Sequence, residues 1–241
     1  MMRPVTIIVS GPSLPQAARP QASGLEWLPP AKAGDLVELL ADPPERLCLI
    51  DGLFETCAAP WHKELLLLMA AGTIVFGASS MGALRAAELD RHGMIGVGSI
   101  YRAYRDGRLT GDDEVALIHA TAQLDWAPLT VPLVEVRATL AAALRSALID
   151  RHMARAMREI ASAIHFSDRD WPLLRKNWVA AGCCPPDTAG AVQDRHVPLK
   201  RLDALACLAA AQAWRGHVQP PPPPPLTVFV SRLLSQLRRQ P

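Results

Sequence analysis

Apolar residues come in short blocks that alternate with longer amphipathic stretches over the first half of the chain. Pro4 to Ser10 (PVTIIVS) is a β-branched apolar run ending at Gly11-Pro12, which predicts a buried strand and a sharp turn. Leu47 to Ile50 and Thr73 to Phe76 read as two further buried strands. Between them lie a short helix over Gly34 to Ala41 and a helix opened by Pro60 and running to Ala71, with Gly72 as its C-terminal cap. Gly77 to Gly82 turns into an Ala/Leu-rich helix that extends to about His92. After Gly98 the period becomes helical: Ile100 to Asp106, Asp112 to Thr121, Val134 to Ile149 and Arg151 to Ile164. No β-rich run returns before Val228, and an amphipathic helix is predicted over Thr227 to Arg239.

Strands alternating with helices through short connections predict an α/β fold. We expect a small parallel sheet with crossover helices, followed by a helical C-terminal part. The expected segments are an α/β core over 1–125, a helical part over 126–217, a polyproline spacer over 218–226 and a terminal helix over 227–241. Pro220 to Pro225 is a stiff spacer by this reading, in preference to an SH3-type ligand.

Composition narrows the class without choosing within it. Half of the 241 residues are hydrophobic and 20% are charged, as in ordinary globular proteins. From Lys200 onward six basic residues (Lys200, Arg201, Arg215, Arg232, Arg238, Arg239) face one acid, Asp203. No aromatic or Gly-rich recognition pattern accompanies them, so no nucleic-acid partner is expected. The five cysteines (48, 57, 183, 184, 207) lack metal-ligand spacing, and neither a metal nor a cofactor is expected. Asp112-Asp113-Glu114 reads as acids favouring a helix start rather than a metal cluster. The longest uncharged apolar run, Leu65 to Ala78, is too short for a bilayer, and Met1 to Ser10 is too short for a signal peptide. These features predict a cytoplasmic protein with no membrane partner.

Candidate chemistry gathers where the strands end, because an open α/β sheet binds ligands at its carboxyl rim. Three rim segments are readable: Ser10-Gly11-Pro12-Ser13, Asp51-Gly52 and Gly77-Ala78-Ser79-Ser80-Met81-Gly82. The last has the form small-x-Ser-x-small about Ser80, which places a hydroxyl at a helix N-terminus where free N–H groups can hold an oxyanion. Capping alone is an equal reading of that turn. A phosphate cradle is weaker, since neither GxxxxGK[ST] nor GxGxxG is present. His62 and Lys63 enter the preceding helix on the same rim. A lysine acts as a general base when burial lowers its pKa, though an isolated one is usually surface. Arg85 and Glu88 can pair with each other, or Arg85 can hold an acidic group.

WHKE at 61–64, GASSMGALRAAEL at 77–89, GMIGVGSIYRAYRDG at 93–107 and DDEVALIH at 112–119 together resemble the TfuA-like family core. The Gly11-Pro12-Ser13 turn also fits. The resemblance implies a partner of YcaO enzymes, which replace a peptide amide oxygen by sulfur. It implies release of sulfide from a thiocarboxylated, ThiS-like carrier, and engagement of a precursor peptide. It also implies a hydrolase-like Ser–Lys pair, which falls on the serine turn and Lys63. The elbow pattern favours Ser80 as nucleophile and leaves Ser79 to orient it. Met81, Gly11, Asp51, Gly77 and Arg85 are then the substrate or oxyanion candidates. The competing expectation is a non-catalytic adaptor that binds YcaO and its peptide.

Overall fold

The computed structural model describes residues 6–53, 57–225 and 227–237. Pro4 and Val5 of the predicted first strand, and Arg238 and Arg239 of the predicted last helix, lie outside these residues. Five strands form one all-parallel sheet in the order β2-β1-β3-β4-β5. They are β1 (Thr6–Val9), β2 (Leu25–Leu28), β3 (Arg46–Leu49), β4 (Ile74–Gly77) and β5 (Ile95–Gly96). All four residues of β1 are buried, as are the last three of β3, which is why these central strands read as continuous apolar runs. Two strands carry no such run. β2, with the sequence LEWL, lies at the edge with half-exposed positions, and β5 has two residues, one of them Gly96.

Helices α1 (His62–Ala70), α2 (Met81–Leu89) and α3 (Gly98–Arg105) connect or follow the strands. Residues 35–41 form a 3-10 helix, where a short helix was expected. Gly72, at φ 94, ends α1 in the left-handed conformation that a C-terminal cap requires. Glu64, fully buried, accepts the N–H groups of Gly34, Leu36 and Trp61 at 2.8–3.1 Å. One carboxylate thereby serves the starts of two helices.

The helical part contains α4 (Leu133–Arg145), α5 (Arg151–Ala163), α6 (Trp171–Ala180), α7 (Pro186–Asp194) and α8 (Leu199–Ala213). The chain then passes through the prolines to α9 (Val228–Leu237). Two predicted helices are corrected. Asp112 to Thr121 is a single 3-10 turn at Asp112–Glu114, followed by an arm in which His119 bridges Pro128 antiparallel. Here the Lys200 ammonium takes the Val115 carbonyl at 2.9 Å, and Thr130 Oγ1 takes the Ile118 N–H at 2.8 Å, so side chains replace helical bonding. The helix predicted to reach Ile149 stops at Arg145, and Ala147 lies at φ 56.

The chain divides into two compact units, residues 1–108 with 201–241, and residues 109–200. In the first, Ile8, Cys48, Ile50, Phe76 and Ala78 of the sheet and its rim pack with Ala204, Cys207, Leu208 and Ala211 of α8. Asp203 of α8 accepts the N–H groups of Ser99 and Ile100 at 2.9 and 2.8 Å, capping α3. In the second, Leu133, Val136, Leu140, Met157, Leu174 and Trp178 form the core, and the Trp178 indole donates to the Met157 carbonyl at 2.9 Å. Among the described residues, no helix is long and apolar enough to cross a membrane.

Candidate active site

A sheet ordered β2-β1-β3-β4-β5 changes direction between β1 and β3, and such sheets open a crevice at that point. In this protein the crevice is closed by one side chain. Asp51, 2% exposed, accepts from the N–H groups of Gly11 and Ser13 at 2.8 and 3.0 Å and from the Ser13 hydroxyl at 2.6 Å. The Ser10 hydroxyl lies at 3.4 Å. The Gly11 N–H and the Asp51 carboxylate are therefore committed to each other and hold the turn after β1 in place.

The serine turn stands one strand further along the rim. β4 is followed by Ala78, whose N–H is still held by the Leu49 carbonyl at 3.2 Å. The chain then reverses tightly. Ser79 takes φ 69, and the Ser80 N–H donates to the Ala78 carbonyl at 2.9 Å, closing a three-residue turn with Ser79 at its apex. Ser80, at φ −114 and ψ −123, is the N-cap of α2 but makes no side-chain cap bond. Ser79 is fully buried and Ser80 is 4% exposed. The Ser79 hydroxyl is enclosed without a hydrogen-bond partner. Among the described residues, no hydrogen bond takes up the N–H of Ser79 or of Met81.

Close packing fixes this turn against the sheet. The Gly82 N–H donates to the Ile50 carbonyl at 3.1 Å, and a Cβ on Gly82 would lie 1.8 Å from the Leu49 carbonyl oxygen. A Cβ on Gly77 would lie 2.2 Å from the Gly82 carbonyl oxygen. Both positions require glycine because backbone meets backbone there.

Lys63 lies in the first turn of α1, which follows the C-terminal end of β3, and β3 pairs in parallel with β4. Its helix and the serine turn therefore start from the same rim. It is half-buried, on the side of α1 away from Glu64, Leu65, Leu68 and Met69, which are buried. Among the described residues it makes no hydrogen bond. Its neighbour His62 does: Nε2 lies 2.8 Å from Glu88, which also accepts from Arg85 at 2.7 Å. Arg85 Nε donates to the Pro60 carbonyl at 2.8 Å, so this arginine ties α2 to the entry of α1. Burial raises the Glu88 carboxyl, but its bonds to His62 and Arg85 outweigh that and hold it below the usual range.

A family model of TfuA-like proteins matches residues 51–170. The chain belongs to the TfuA-like family. No curated protein matches it. The span matched in this TfuA-like protein includes Asp51, Lys63, Gly77, Ser79, Ser80, Met81 and Arg85; Gly11 and Asp203 lie outside it. Three residues that hold the protein together carry a weaker sequence signal than the serine turn. Glu64 stands three residues after the N-cap Trp61, a capping-box position that could have marked it. Asp203 and Arg169 have no local signal, since Asp203 caps a helix more than a hundred residues away and the Arg169 side chain, among the described residues, donates to backbone carbonyls alone. Among the described residues no group of acids, histidines and cysteines could hold a metal ion, and all five cysteines are free.

Proposed function

We propose that this TfuA-like protein supports YcaO-dependent thioamidation of a ribosomally made peptide. In this reading it hydrolyses a thiocarboxylated, ThiS-like carrier and so releases sulfide. The observation that carries the reading is the serine turn, which sets the buried, unpartnered Ser79 hydroxyl and the Ser80 hydroxyl, which makes no cap bond, beside N–H groups at the start of α2 that no hydrogen bond among the described residues takes up, within the span matched by the family.

A hydroxyl of the Ser79–Ser80 pair attacks the thiocarboxylate carbon, and Lys63 takes its proton. The Met81 N–H, with the dipole of α2 behind it, stabilises the oxyanion. Sulfide is a good leaving group, so a modest base suffices. Asp51 holds the Gly11–Ser13 turn in place on the same rim.

The test is sulfide release from a thiocarboxylated carrier by wild type, Ser80→Ala and Lys63→Ala, with circular dichroism as the fold control. Lys63→Ala is expected to reduce release by at least about a hundredfold, the usual contribution of a general base. No release from wild type in the presence of its YcaO enzyme would assign the protein to the non-catalytic adaptor class instead.

A further inference from the structure

Two adjacent serines enter the same turn, and the backbone treats them differently. Ser80 has a negative φ of −114, whereas Ser79 sits at φ 69, in the left-handed region that is easy for glycine and costly for a residue with a side chain. Ser79 carries a second cost. Its hydroxyl is buried and unpartnered, while the surrounding polar groups of the rim, such as the Ser13 hydroxyl and the Asp51 carboxylate, are bonded. Glycine at position 79 would remove both costs. Strain and an unpaired polar group at one residue, at the junction of a strand and a nine-residue helix, are the marks of a nucleophile elbow.

We infer that Ser79, not Ser80, is the nucleophile of this site. The inference rests on the thiocarboxylate-hydrolase reading above and names the residue that performs it. The Ser79 Oγ–H proton passes to Lys63 as the Oγ–C bond forms, and the carbonyl oxygen becomes an oxyanion facing the Met81 N–H. Collapse re-forms the carbonyl and breaks the C–S bond. Lys63 returns the proton to sulfur, which leaves as HS⁻ with a carrier ester on Ser79. Water then adds to the ester carbon, the C–Oγ bond breaks, and Oγ regains a proton. The carrier leaves as a carboxylate with release of one proton. No oxidant or cofactor enters this balance. Ser80 serves as a positioning residue, its N–H bond to Ala78 holding Ser79 at the apex.

The full chain is mixed with a carrier protein ending in a thiocarboxylate, quenched in acid and digested, and the ester is located by fragmentation between residues 79 and 80. Sulfide release and thermal midpoints are measured for wild type, Ser79→Gly and Ser80→Ala. The ester is expected on Ser79. Ser79→Gly should lose more than about a thousandfold in release, with a midpoint equal to wild type or a few degrees higher, about +2 to +4 °C. Ser80→Ala keeps the backbone N–H bond to Ala78, so it should release sulfide within about tenfold of wild type and still carry the ester on Ser79. An ester on Ser80, or Ser79→Gly releasing sulfide at the wild-type rate, overturns the assignment and leaves the hydrolase reading standing. A lowered midpoint in Ser79→Gly also overturns it, because Ser79 would then serve the fold. Wild type that forms no ester and releases no sulfide overturns the hydrolase reading itself.

Discussion

Asp51 shows how one side chain decides where a site on this rim can lie. An ionised carboxylate only accepts hydrogen bonds, and here its two oxygens meet two backbone N–H groups and a hydroxyl inside the protein. Replacing one oxygen by an amide puts a donor against donors. Asp51→Asn is therefore expected to cost about 2 kcal/mol, in the range for buried charge-assisted bonds, as read from urea unfolding midpoints. The same substitution should loosen the Gly11–Ser13 turn and raise the KM for carrier more than it lowers kcat. The sequence placed Asp51 on the rim through its position after an apolar strand, but its partners come from 38 to 41 residues away. At the serine turn the legible part is the Gly77–Gly82 frame of small residues. The sign of φ at Ser79 is not legible, because the small-x-Ser-x-small pattern centres on Ser80, between Ala78 and Gly82, whereas the backbone puts Ser79 at the apex of the turn.

Among elements, the strands buried on both sides were readable and the rim-closing strands were not. β1, β3 and β4 are apolar because their two faces are covered, whereas β2 needs only one strand neighbour and carries Glu26 and Trp27. Helix ends follow the same division. Those fixed locally, such as α1 at Gly72, were visible, and those fixed from a distance were not. The start of α3 is capped by Asp203, and this gives the element a pH signature. Burial raises the Asp203 carboxyl above the ordinary value of an aspartate, against the bonds from Ile100 and Ser99, which lower it. Above pH 3.8 the unfolded chain ionises first and the folded state retains its proton longer. The folded state then binds more protons, so the contribution of this group to stability falls as pH rises, and it levels off above the raised folded value. In Asp203→Asn the titration is removed. The deficit in thermal midpoint of this variant relative to wild type is therefore expected to be smaller at about pH 8 than at about pH 4. A deficit that grows with pH would show that the carboxylate charge is net favourable to the cap.

On the scale of the whole molecule, chain order and compactness part company. Residues 204–211 of α8 return to the sheet core; Ala204, Cys207, Leu208 and Ala211 have the spacing of a buried helix face, but nothing local says that this face meets the sheet. The span 109–200 builds a core of its own around Trp178. Arg169 is the side chain on which that second core turns. It is fully buried, and it donates to the carbonyls of Ala161 and Ile164 at 3.1 and 2.8 Å, at the end of α5 where carbonyls run short of helical donors. Burial lowers its pKa, which the nearby Asp113 and Glu114 oppose by Coulomb attraction. Arg169→Met keeps the apolar stem and removes the donors. It should cost about 3 kcal/mol, because the Ile164 carbonyl loses its donor and the Ala161 carbonyl keeps only the Ile164 N–H. Two compact units with separate cores lose protection separately when one core is weakened. Hydrogen exchange of Arg169→Met is therefore expected to accelerate within 109–200 and to leave the sheet amides of Val9, Leu49 and Phe76 at wild-type rates, while Asp51→Asn shows the reverse pattern. Sulfide release per folded molecule should then be retained in Arg169→Met and impaired in Asp51→Asn. Equal acceleration throughout the chain in either variant would instead make the two units one cooperative block, in which weakening the helical core also weakens the serine turn.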